Sequence, residues 1–181
     1  MCEAFSIRFA ASFKRAFYKL AGVTDMHKLT HVDETGAARM VDVGAKDVTA
    51  RRAVAAGRIA TTPEVVALLR DGALPKGDAL ATARIAGIMG AKRTPDLIPL
   101  CHPIGITGVT LDLEVTAGGV EIVATTRTTD RTGVEMEALT AVAVAGLTLI
   151  DMIKAVDPAA SLESVRVLRK EGGKTGEWVR P

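Results

Sequence analysis

Hydrophobic and polar positions change their period several times along the chain, and each change marks an element. Residues 51–61 alternate loosely and predict a strand. Thr62-Pro63-Glu64 then opens a helix, with Thr62 as N-cap and Pro63 at the first helical position, where a missing N–H costs nothing. That helix is expected to stop near Asp71-Gly72, and Asp78 caps a second one running to about Ala91. Val109–Thr116 alternates strictly, Gly118-Gly119 supplies a turn and Val120–Thr128 returns, which predicts an antiparallel hairpin. Thr132-Gly133-Val134-Glu135 has the form of a capping box before a helix from about Val134 to Val156, closed off by Pro158. Ser164–Lys170 predicts the last strand, and Met40–Val43 reads as a short extended piece. The order β, α(α), β, β, α, β predicts an α+β fold: a ferredoxin-like βαββαβ antiparallel sheet with helices on one face.

The front of the chain follows a different pattern. Phe5, Phe9, Phe13, Phe17 and Leu20 share one face of a helical wheel, while Arg8, Arg15 and Lys19 lie away from it. This predicts a basic amphipathic helix. Residues 1–28 are therefore read as an N-terminal extension, and residues 29–181 as the domain. The extension fits a targeting peptide, a membrane-surface anchor or a partner-binding segment. With no cleavage-site signature, an accessory or upstream-translated extension, with Met26 as an alternative start, is the preferred reading.

Composition sharpens the division. A hydrophobic share of 48% in 181 residues supports one core and excludes wholesale disorder. Five of the six aromatic residues lie within the first 18 positions, and Trp178 is the sole one afterwards, so the domain core must be aliphatic. Residues 1–28 carry five basic and two acidic groups, leaving 18 basic and 19 acidic for residues 29–181. The domain is thus near neutral, which removes the compositional case for nucleic-acid binding. Cys2 and Cys101 are too few for a disulfide framework, and a reducing cytoplasm is the expected location. Ala138–Ile150 is uncharged for 13 residues but bracketed by charges, which predicts a buried helix and no membrane span for the domain.

Candidate chemistry lies at the ends of the predicted helices. Asp151 and Lys154 are three apart and share a face, as either a surface ion pair or an acid beside an ammonium suited to proton transfer. Glu135 and Glu137 flank Met136 at the other end of the same helix. They favour the helix N-terminus, or one of them meets an amine-like edge of a ligand. Arg127, Asp130, Arg131 and Thr132 precede that helix start and, with its free N–H groups, outline an anion pocket. Lys76 beside Gly77 and the tail Lys170-Glu-Gly-Gly-Lys174 are further lysines next to glycines, without a Walker pattern. In Leu100-Cys101-His102-Pro103 the adjacent Cys and His lack the further ligands a zinc site needs; a loop presenting His102 to a ligand is the better reading.

Leu29-Thr-His-Val-Asp33, Met40-Val-Asp-Val43, Lys76-Gly-Asp78, Ala81-Thr-Ala-Arg-Ile-Ala-Gly87 and Asp96-Leu-Ile-Pro-Leu-Cys-His-Pro103 resemble one family. So do Thr132-Gly-Val-Glu-Met-Glu-Ala-Leu-Thr140, Asp151-Met-Ile-Lys-Ala-Val156 and Gly172-Gly-Lys-Thr-Gly176. The family is the cyclic pyranopterin monophosphate synthases, molybdenum cofactor biosynthesis protein C, and the likeness covers residues 29–181. It implies a lyase that turns a cyclised dihydro-GTP, the triphosphate product of a partner radical-SAM GTP cyclase, into cyclic pyranopterin monophosphate and pyrophosphate. It also implies a ferredoxin-like homohexamer, a trimer of dimers with active sites at subunit interfaces. Residue by residue, it implies an acid/base role for Asp151 and substrate binding by Leu100, Cys101, His102, Met136 and Glu137. Lys76, Lys154 and Lys170 match lysines placed on the triphosphate or in proton transfer, with Arg51, Glu135 and Lys174 lining the same pocket. No organic cofactor is expected for a rearrangement without net redox. A magnesium ion could accompany the triphosphate, although no dedicated cage for it is present. A non-catalytic nucleotide-binding module and a membrane-tethered scaffold are the competing classes. The first would not need Asp151, and the second rests wholly on residues 1–28.

Overall fold

A computed structural model describes residues 37–174 and 176–181. The chain divides into Met1–Val41 and Asp42–Pro181, and every element below belongs to the second unit. The amphipathic helix expected in residues 1–28 and the boundary at residue 29 lie outside the described residues. The elements are β1 (Thr49–Ala60), α1 (Pro63–Arg70), α2 (Ala79–Ala91), α3 (Thr94–Leu97), β2 (Ile106–Thr116), β3 (Gly119–Asp130), α4 (Glu135–Ile153), β4 (Ser161–Glu171) and β5 (Trp178–Val179).

The sheet order is β2-β3-β1-β4-β5, with every neighbouring pair antiparallel. β3 sits between β1 and β2, so the β1–helix–β2 crossover is split, as the ferredoxin-like arrangement requires. β5 is added at the β4 edge.

Alternation along the central strands builds the core. Ala53, Ala55 and Ile59 of β1 and Val120, Ile122 and Ala124 of β3 are buried beneath the helices. Because these side chains are small, α4 lies close to the sheet: a Cβ on Gly57 would stand 2.7 Å from Val142 Cγ1. α2 approaches α4 in the same way, since a Cβ on Gly90 would meet Val144 at 2.8 Å. By length and hydropathy α4 could cross a membrane, yet Ala138, Ala141, Val142, Ala145, Leu149 and Ile153 are buried in the core. It is the central helix of the domain, as the bracketing charges predicted.

Two of the three expected helix starts are capped as read. The Thr62 side chain accepts from Val65 N at 3.4 Å, and Asp78 Oδ1 accepts from Ala81 N at 2.9 Å. The third differs. α4 begins at Glu135 behind Val134, and no side chain caps it, so Thr132 does not close a capping box. Val134 is buried in the core, and its carbonyl accepts from the Thr126 hydroxyl at 2.9 Å; tertiary packing, not a local box, fixes the entry. α4 also ends at Ile153, short of Val156, because the Ile153 carbonyl turns the chain by accepting from Val156 N and Asp157 N at 2.9 and 3.0 Å. Met40–Val43 forms no strand.

Candidate active site

The last turn of α4 carries Asp151, and two lysines converge on it. Lys154 Nζ lies 2.7 Å from Oδ1, one turn along the helix. Lys76 comes from the α1–α2 loop, where Gly77 takes a positive φ of 90°. Its ammonium donates to Asp151 Oδ2 at 3.0 Å and to the Asp151 carbonyl at 2.7 Å. Lys154 and then Lys76 hold the Asp151 carboxyl at about 2, below its usual value. All three side chains remain open to solvent, so a ligand phosphate can reach both ammonium groups. The sequence paired Asp151 with Lys154, and the fold adds Lys76 to them rather than leaving it at the start of α2.

A second cluster forms at the other end of α4. Glu137 is 3% exposed, and burial, reinforced by the charge of Glu135, pushes its carboxyl up to about 7 against the pull of its own backbone N–H. Burial, with the Glu137 charge next, raises the thiol of Cys101, a shift away from the thiolate that a nucleophile needs. Leu100 and His102 flank it in the connection from α3 to β2, and Met136 is partly exposed between the two glutamates. Thr128 Oγ1 donates to the Gly105 carbonyl at 2.6 Å and tethers this connection to β3.

Beside Glu135 opens a cavity of about 650 Å³ lined by Arg51, Arg131, Glu135, Lys170 and Lys174, among others. Lys170 Nζ stands 3.3 Å from Glu135 Oε1. Arg51 donates from Nε to the Asp130 carbonyl at 2.9 Å and from Nη2 to the Arg131 carbonyl at 3.0 Å, fixing the loop before α4. Gly172 and Gly173, at positive φ, fold the end of β4 against Ala50 and Arg51. Of the expected anion pocket, Arg131 and Thr132 line the cavity, while Asp130 does not and Arg127 is exposed outside it.

Lys46, Asp47, Thr49, Arg52 and Glu171 also line this cavity and were not expected. The register Thr49↔Asp130 is what places them, because it sets the approach to β1 against the exit from β3. The one sequence signal was Lys46 following Gly44, the same lysine-near-glycine pattern noted elsewhere.

The two clusters do not meet within one chain. Glu137 and Asp151 are fourteen residues apart on one continuous helix, hence about 21 Å along its axis. Among the described residues, no group of three His, Cys, Asp or Glu could hold a metal ion.

A family model described as the MoaC family matches residues 40–173. The chain is 67% identical over 160 residues to a cyclic pyranopterin monophosphate synthase of Streptomyces coelicolor, covering 88% of this chain and 94% of that one. It is 69% identical over 153 residues to the protein of that name in Streptomyces avermitilis, covering 84% and 90%. It is 61% identical over 164 residues to cyclic pyranopterin monophosphate synthase 2 of Mycobacterium tuberculosis, covering 90% and 98%.

Proposed function

We propose that this chain, which belongs to the MoaC family, is a cyclic pyranopterin monophosphate synthase, a lyase of molybdenum cofactor biosynthesis. Its substrate is (8S)-3',8-cyclo-7,8-dihydroguanosine 5'-triphosphate, supplied by a radical-SAM GTP cyclase, and its products are cyclic pyranopterin monophosphate and pyrophosphate. The enzyme is cytoplasmic and needs no organic cofactor. Any magnesium enters with the triphosphate.

The observation that carries this reading is the Lys76–Asp151–Lys154 triad. The chemistry opens and rebuilds the purine part, then drives a sugar hydroxyl onto the innermost phosphorus. In that last step the new P–O bond forms as the bond to pyrophosphate breaks. The hydroxyl proton must leave, and the departing pyrophosphate gains charge. A substrate phosphate that draws Lys76 and Lys154 to itself relieves the pull that keeps the Asp151 carboxyl near 2; Asp151 then accepts and returns protons, while the lysines hold the developing charge or supply a proton. The N-terminal cluster binds: Glu135 and Glu137 meet the amine-bearing edge of the pterin. Leu100, Cys101, His102 and Met136 border it, and Arg51, Lys170 and Lys174 hold the remaining anionic groups.

Separation of the clusters by about 21 Å supports assembly, because one chain cannot close both around one ligand. Between them α4 exposes Leu147, 61% accessible, and α2, which packs against α4, exposes Ile85 and Met89. A second copy laid antiparallel along this helix layer sets the Asp151 end of one chain beside the Glu137 end of the other. Three such dimers make the hexamer. Incubation with the cyclised dihydro-GTP tests the function. Pyrophosphate and cyclic pyranopterin monophosphate are the expected products, the latter detected by its fluorescence after chemical oxidation with added iodine, and their absence with intact substrate would sink the reading.

A further inference from the structure

We propose that Asp157 is a positioning residue for the Lys76–Asp151–Lys154 triad, a single buried carboxylate that keeps the two elements carrying the triad in register. The proposal rests on the catalytic reading of the triad given above. Asp157 is 6% exposed, and the partners of its carboxylate are neutral. Its oxygens accept from Thr61 Oγ1 at 2.7 Å, Thr62 N at 3.2 Å and Ala159 N at 3.0 Å. The hydrogen bond from Thr61, above all, holds its carboxyl below the usual value, so the charge persists despite burial. A buried charge met only by neutral donors is an expensive way to fill space, and its three bonds act on geometry instead.

Two hydrogen-bonded routes lead from Asp157 to the triad. The first runs back along its own segment. Asp157 N and Val156 N both donate to the Ile153 carbonyl, and Lys154 N donates to Ile150 at 2.8 Å, so the turn is continuous with the helix end bearing Asp151. The second runs through Thr62, the N-cap of α1. Beyond α1, Asp71 N donates to Ala67 at 3.0 Å and Ala73 N to Leu68 at 2.9 Å, which leads to buried Leu74. Gly77 N then closes on the Leu74 carbonyl at 3.0 Å, and Lys76 stands inside that turn. Asp157 is the point where both routes begin. Lys76 makes two bonds to Asp151, at 2.7 and 3.0 Å, and a shift of about an ångström between the routes would break at least one of them.

The test compares full-length wild type with Asp157→Ala, Asp157→Asn and Thr61→Val. Readouts are thermal unfolding, kcat and KM on the cyclised dihydro-GTP, and carbon-13 titration of the Asp151 carboxyl. In Asp157→Ala we expect kcat to fall about 10- to 100-fold, by more than KM rises. At about pH 3.5 its Asp151 carboxyl should begin to take up a proton that the wild-type group, held by two lysines, refuses. Thr61→Val should move both readouts the same way, by less. A folded Asp157→Ala with wild-type kcat and wild-type Asp151 ionisation overturns the proposal, even if it melts earlier. If Asp157→Ala does not fold, Asp157→Asn and Thr61→Val decide by the same criteria. A wild-type chain that forms no product overturns the functional reading instead, and the Asp151 titration still decides the positioning role.

Discussion

Lys76 binds Asp151 in two ways, through a carboxylate oxygen at 3.0 Å and through the backbone carbonyl at 2.7 Å. The second bond survives loss of the carboxylate charge. Asp151→Asn should therefore keep the fold, the assembly and the place of Lys76, while product formation drops about 100- to 10,000-fold. Lys154→Ala should do the same through loss of the other ammonium. Pyrophosphate release against size-exclusion profile checks both, and full activity in either variant removes the triad from the chemistry. Because the Asp151 carboxyl sits near 2, its ion pairs persist at neutral pH and are lost as pH falls from about 4 through about 2.

Glu137 behaves in the opposite sense. The folded state keeps its proton up to about pH 7, whereas the unfolded chain releases it near the ordinary value of 4.5. Folding therefore binds a proton between these values, and stability declines as pH rises through that window, by at most about 3 kcal/mol. Glu137→Gln should flatten the slope and gain most over wild type at alkaline pH. Urea midpoints at about pH 5 and about pH 8 measure it. Parallel slopes would show that Glu137 is ionised throughout.

Gly87 offers a test of packing against propensity. Alanine favours a helix over glycine by about 1 kcal/mol. Yet a Cβ at position 87 would meet Leu111 Cδ2 at 2.5 Å, the Ala141 carbonyl at 2.8 Å and Ala145 Cβ at 3.1 Å. The carbonyl cannot yield without moving α4, and overpacking of this kind costs about 1–3 kcal/mol. Gly87→Ala should lower the melting temperature despite the better helix former; a rise would mean that α2 can shift away from α4.

Assembly and activity should fail together. Leu147→Glu places a charge on the exposed apolar side chain that α4 offers a second copy and should yield folded but smaller, inactive species by sedimentation. Complementation is the sharper measurement. Asp151→Asn mixed with Glu137→Gln, after dissociation and reassembly, should recover up to about a quarter of wild-type activity. Random pairing joins two intact halves at that frequency when each site takes one half from each of two chains. No recovery would place both halves of a site on one chain.

The legible parts of the fold were those written locally. Thr62 and Asp78 declare their helices because a cap bonds only three residues away. The start of α4 is set by Thr126 reaching Val134, and the cavity by Thr49 facing Asp130, and neither pairing leaves a mark in the residues between. α3 and β5, of four and two residues, are too short to show a period. The Asp151–Lys154 pair could be read from its spacing, but the third member, Lys76, lies 75 positions away and is joined only by folding. Glu137 was placed at a helix start, and its burial depends on the sheet beneath it.

Carrying Glu137 and Asp151 on one unbroken rod also makes α4 a ruler. Adding a single residue between them would lengthen the span by about 1.5 Å and rotate one end against the other by about 100°. A change close to a whole number of turns, such as about seven residues for two, would restore the facing but lengthen the span by about 10 Å. Side chains along α4 can drift so long as they pack, but the number of residues between its two ends is fixed by both of them at once.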